Sequence, residues 1–97
     1  MDKPIFDRRI FWDVNFDAID YDKRARFVIE RVFERGDVED IRQCRRYYGD
    51  EKVRWALTGA RWLRKDTVYL ATAVLNNHMT DYRCYMLAQL NPQHWQY

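Results

Sequence analysis

Twice in the middle of this chain a glycine is followed directly by an aspartate, at Gly36-Asp37 and Gly49-Asp50. Glycine tolerates the left-handed backbone that closes a last helical turn. Aspartate accepts hydrogen bonds from the unpaired N–H groups that open the next helix. Each pair therefore reads as a stop and a restart, and the chain between them is confined to one short helix. Gly59 supplies a third stop.

These marks delimit the elements. The spacing predicts a first helix over 22–35, with Ala25, Val28, Ile29, Val32 and Phe33 forming one apolar stripe at i, i+3, i+4, i+7 and i+8. A second runs over 37–48 and buries Val38, Ile41, Cys44 and Tyr48, with Asp37 and Asp40 as a capping-box-like pair. A third covers 50–58 through Val53, Ala56 and Leu57, and a fourth covers 66–76 through Val68, Ala71, Val74 and Leu75. A fifth, opened by Thr80 or Asp81, ends near Leu90 because Pro92 cannot continue it.

Residues 1–21 have a different character. Ile5, Phe6, Ile10, Phe11, Trp12, Val14, Phe16 and Ile19 are apolar without helical period, interrupted by Asp13, Asp17 and Asp20. The expectation is an irregular or short-strand arm that lays its aromatics on the helices. The fold class is all-α: a compact single domain over 1–97, with four to five short helices, the arm at 1–21 and a tail at 91–97.

With 97 residues, 47% of them hydrophobic, the chain can bury a core without a disulfide staple. Cys44 and Cys84 are far apart and point to no oxidising compartment. The N-terminus holds no signal-peptide core, and the most apolar run, Val68 to Leu75, is about half of a membrane span. A cytoplasmic location with no membrane association is the expectation.

The net charge is only +2, yet it is polarised. Residues 1–40 carry eight Lys/Arg against eleven Asp/Glu, and residues 41–97 carry nine against four. Most of the excess lies in Arg42, Arg45, Arg46, Lys52, Arg54, Arg61, Arg64 and Lys65. On the second helix Arg42, Arg45 and Arg46 share a side. Guanidinium groups gathered on one surface neutralise phosphates, and Tyr47, Trp55 and Trp62 stack on bases if exposed. The same residues equally fit a solvated helix face, or the recognition of an acidic partner protein.

Short helices flanked by basic residues also admit a helix-turn-helix reading. In it the fourth helix reads bases through Thr67, Thr72, Asn76 and Asn77, although the connection from Gly59 to Lys65 exceeds the usual three or four residues.

Chemistry is harder to place. Cys44, His78, Cys84 and His94 lack the paired spacing of zinc sites. There is no serine, no glycine-rich phosphate loop and no nucleophile with a defined base. The aspartates of the arm read as turn and capping residues. The expectation is a binding protein and not an enzyme, with no metal and no cofactor. In the tail, Trp95 and Tyr97 are either core or a docking surface for a partner.

Phe11-Trp-Asp-Val, Arg26-Phe-Val-Ile-Glu-Arg-Val-Phe-Glu-Arg-Gly-Asp, Tyr47-Tyr-Gly, Arg83-Cys-Tyr and Pro92-Gln-His-Trp together resemble a family of small bacterial proteins encoded beside nucleotidyltransferase-type toxins of abortive-infection systems. The resemblance implies an antitoxin-like role: holding the toxin as partner, with operator DNA as a further target of the basic middle. It implies no site residues.

Overall fold

The structure, a computed structural model, describes residues 6–90. The described residues form five helices: α1 (Ala25–Arg35), α2 (Val38–Tyr48), α3 (Asp50–Gly59), α4 (Lys65–Leu75) and α5 (Arg83–Leu90). Three short 3-10 turns accompany them, and there is no strand among the described residues. The architecture is the all-α bundle that the glycine spacing predicts. α1 and α3 make the central pair, α2 and α4 each pack against both, and α5 reaches α3. No helix among the described residues is long and apolar enough to cross a membrane.

All five stripe residues of α1 are buried, as their period requires. The helix starts later than its pattern suggests, because residues 21–24 form a turn. Asp20 organises that turn, its Oδ1 accepting the N–H groups of Asp22 and Lys23 at 3.1 and 3.0 Å.

α2 opens with a complete capping box. Asp37 accepts the Asp40 N–H at 3.1 Å, and Asp40 Oδ2 accepts the Asp37 N–H at 3.0 Å. Here one expectation is corrected. Val38 does not enter the core but stands 75% exposed, while Asp40 is 6% exposed. The carboxylate turns inward because it accepts two backbone N–H groups there. Besides Asp37 it receives the N–H of Asp7 from the arm at 3.2 Å, which satisfies a buried polar group that would otherwise be costly.

The glycines also divide. Gly49 adopts φ 86°, the left-handed region expected of a helix stop. Gly36 is extended at φ −83° and is required for space: a Cβ there would lie 2.6 Å from the Val32 carbonyl and 2.9 Å from Asp40 Cβ.

The arm contains two 3-10 turns, Arg8–Phe11 and Phe16–Ala18, in place of a strand. It buries Phe6, Ile10, Phe11, Ile19 and Tyr21, and leaves Trp12 in solvent. Phe11 sits among Phe6, Phe16 and Phe27 with ring centroids 5.8–6.2 Å apart, the tilted arrangement that aromatic quadrupoles favour. Arg31 of α1 fastens the arm by donating to both Asp13 oxygens, at 2.6 and 3.1 Å, and to the Ile10 carbonyl at 3.1 Å.

α3 buries Val53, Ala56 and Leu57, and α4 buries Val68, Ala71 and Leu75, with Asn76 closing α4 in the left-handed conformation. The fifth helix begins at Arg83, after a 3-10 turn at Met79–Asp81 in which Asp81 accepts the His78 N–H. Both thiols are buried, and burial pushes Cys44 up to about 12, which makes it an inert core residue. Pro92, His94, Trp95 and Tyr97 lie outside the described residues.

Candidate functional site

The eight basic residues of the middle segment do not form one free patch. Arg45 is bound side-on by Asp50, donating from Nε to Oδ1 at 2.9 Å and from Nη2 to Oδ2 at 3.0 Å. That fork holds the Asp50 carboxyl below the usual carboxylate range. Arg42 lies 3.5 Å from Glu39, and Arg64 lies 3.9 Å from Asp66. Arg54 donates to the Leu75 carbonyl at 3.2 Å and so closes the end of α4. Lys65 also interacts within the molecule. Arg46, Lys52 and Arg61 are exposed and make no ion pair or hydrogen bond among the described residues.

The polar residues assigned to base reading on α4 are also differently placed. Thr67 is buried and donates to Glu34 Oε2 at 3.0 Å. Asn77 accepts the hydroxyl of the buried Tyr82 at 2.9 Å. Thr72 bonds back to the Tyr69 carbonyl at 2.8 Å. The start of α4 is held as well: Glu34 Oε1 accepts the Arg64 N–H at 3.0 Å. A carboxylate from α1 thus caps α4, thirty residues later in the chain.

α4 faces solvent with Asp66, Tyr69, Leu70 and Ala73, a stripe at i, i+3, i+4 and i+7. Tyr69 is 52% exposed and Leu70 39%. Its only charged residues are Lys65 and Asp66. α5 likewise exposes Met86 and Leu90.

A concavity of about 300 Å³ lies between α1 and the connection preceding α4, lined by Phe27, Glu30, Arg31, Glu34, Arg35, Trp62 and Arg64. Its α1 residues repeat at i, i+3, i+4, i+7 and i+8, so they form a second, half-polar face beside the buried stripe. Phe27 already has the guanidinium carbons of Arg24 and Arg31 at 4.4 and 4.9 Å from its ring centroid. Glu30 is half-buried, and desolvation raises its carboxyl above the usual range, with Arg26 pulling it back and Glu34 adding to the rise. Sequence reasoning passed over this face because it sought the basic middle. The signal was the run Glu30, Arg31, Glu34 and Arg35 opposite an apolar stripe.

Among the described residues no three His, Cys, Asp or Glu side chains are grouped to hold a metal ion.

The model of DUF6922, a family of unknown function, matches residues 6–57, more than half of the chain. The chain belongs to that family. The matched segment takes in most of the arm, α1, α2 and α3 as far as Leu57, so α4 and the Trp62–Arg64 wall of the cleft lie beyond it. No curated protein and no solved structure matches the chain.

Proposed function

We propose that this chain is a cytoplasmic, antitoxin-like module that holds a partner protein on the outer face of α4, without catalysing a reaction. One observation carries the reading. α4 is apolar on its outer side as well as its inner one, with Tyr69, Leu70 and Ala73 open to solvent and charge confined to its first two residues. A helix apolar all round belongs in an interior, and a half-covered one is completed by a partner. Tyrosine beside leucine is also the chemistry of an interface anchor. On the resemblance of its motifs, the partner is a nucleotidyltransferase-type toxin encoded alongside.

Co-expression with the product of the adjacent gene tests this directly. The two proteins should co-purify, and a Tyr69→Lys, Leu70→Glu double variant should lose the partner while keeping its thermal midpoint. Elution of the chain alone, or an unchanged complex in the variant, removes the reading.

A second reading, DNA contact, is favoured by Arg46, Lys52 and Arg61, which have no acidic partner among the described residues. It predicts binding to operator DNA that weakens with a salt slope of only about three phosphates. Absence of any shift at low salt excludes it.

A further inference from the structure

Where the arm enters α1, a hollow of about 330 Å³ opens between residues 17–22 and Tyr47 of α2. Its polar lining is acidic and phenolic: Asp17, Asp20 and Asp22, with Tyr21 and Tyr47, and no basic side chain. The walls are held in place. Tyr48 donates its hydroxyl to the Tyr21 carbonyl at 2.7 Å, and Asp20 Oδ1 accepts the N–H groups of Asp22 and Lys23. The Tyr21 ring stands edge-on to Tyr47, centroids 6.1 Å apart, and packs on Phe6 at the same separation. Tyr21 distinguishes this hollow from a mere run of surface aspartates. It is only 7% exposed, yet its hydroxyl makes no hydrogen bond among the described residues. A phenol buried to that degree ordinarily finds a partner. Burial raises its pKa, and the neighbouring Tyr47 and Asp17 add to the rise, so the hydroxyl lies toward the acidic lining. The Tyr47 hydroxyl and the exposed Asp22 carboxylate likewise make no hydrogen bond among the described residues. Asp17 gives one oxygen to Arg8 at 3.2 Å in an exposed pair, and Asp20 has a further interaction within the molecule.

We propose that this hollow binds an aliphatic diammonium cation, its charged ends toward Asp17 and Asp22 and its methylenes along the tyrosines. What the lining lacks is N–H donors, since carboxylates accept and a phenol oxygen accepts as well as donates. Alkylammonium groups supply three donors each, and their stems lie comfortably on aromatic and aliphatic surface. A metal ion is served less well. No three carboxylates gather to hold one among the described residues, so the negative charge surrounds a space instead of converging on a point. The pair with Arg8 balances Asp17 in part, which leaves roughly two charges for the ligand to meet. The volume lies at the small end of the roughly 300–1,000 Å³ range of small-molecule sites. Because Asp17 and Asp22 are exposed, the affinity is weak and falls with salt. The site is independent of the partner surface on α4, since the two share no residue.

Titration of the full chain at low salt, followed by amide NMR shifts, tests the proposal with putrescine, butylamine, magnesium chloride and a short dilysine peptide. Putrescine should shift the amides of residues 17–22 and of Tyr47 saturably, and bind about tenfold more tightly than butylamine. Asp22→Asn should weaken it by about fivefold. Tyr21→Phe should weaken it by about threefold with no loss of thermal midpoint, because the hydroxyl it removes serves nothing inside the fold. Equal shifts from magnesium, unchanged binding in both variants, or no shift with putrescine overturns the site. Binding of the peptide with putrescine inert would assign the hollow to a lysine side chain and overturn the free-diamine reading. Since Phe6 packs on Tyr21, Lys3 is close enough in the chain to compete. Putrescine binding that appears only in Lys3→Ala would give the hollow to the chain's own lysine and also overturn the proposal.

Discussion

α2 and α4 are the same length and lean on the same central pair of helices, yet their outer faces are opposites. α2 turns Glu39, Arg42, Arg45 and Arg46 to the outside and pairs two of the arginines with carboxylates of its own neighbourhood. It is finished against water. α4 turns out Tyr69, Leu70 and Ala73 and has no charge after its first turn. Charge abundance therefore marks a face this domain has largely satisfied internally, and the face with least charge is the one that leaves apolar side chains in water.

The comparison breaks first at the core, where the two helices should behave alike. Ile41→Ala on α2 should cost about 2–4 kcal/mol, and Val68→Ala on α4 about 1–3 kcal/mol, in urea unfolding. A much smaller loss in α4 would mean that its inner face is not packed as described. Next, Asp40→Ala should cost about 1–3 kcal/mol, because it orphans two N–H groups, and should raise amide exchange in residues 7–11. No equivalent substitution exists on α4, whose start is held from α1.

On the outer faces the two helices should part. Leu70→Glu should leave unfolding free energy within about 0.5 kcal/mol of the parent while abolishing partner capture. Arg46→Glu on α2 should leave both unchanged; loss of capture there would reverse the comparison.

The smallest effect is in acid. Asp50 is held below the usual carboxylate range by Arg45, Asp13 by Arg31, and Asp7 at about 2 by Arg9. Since each folded value lies under the unfolded one, near ~3.9, these groups stabilise the fold above that pH. Their contribution fades as the pH drops through the folded values. Asp50→Asn should flatten the decline of thermal midpoint below about pH 4, by an amount in keeping with an exposed pair, at most about 1 kcal/mol.

What could be read in advance followed local rules. The stripe of α1, the Asp37 box and the stop at Gly49 depend on neighbours within a few positions, and all stand where periodicity and turn chemistry put them. What escaped depends on distant atoms. Val38 and Asp40 exchange places because the arm brings the Asp7 N–H to α2. Thr67 looks like a surface hydroxyl until Glu34 arrives from α1. The basic residues of the middle segment are visible in the sequence, but the pairing of Arg42, Arg45 and Arg64 with Glu39, Asp50 and Asp66 is a matter of geometry, even though those carboxylates lie nearby in sequence. The cleft joins a half-polar face of α1 to a tryptophan more than twenty residues away, and no window of sequence contains both.

The Glu34 cap carries one more implication, for how the molecule assembles. The first turn of α4 borrows its acceptor from a helix made thirty residues earlier, so its register is written by tertiary contact and not by its own leading residues. A ribosome must release α1 well before this clasp can close, and α4 moved into another scaffold would begin with its Arg64 N–H and Thr67 hydroxyl stripped of their acceptor. The outer face of α4 thus owes its alignment to a contact made on the opposite side of the helix.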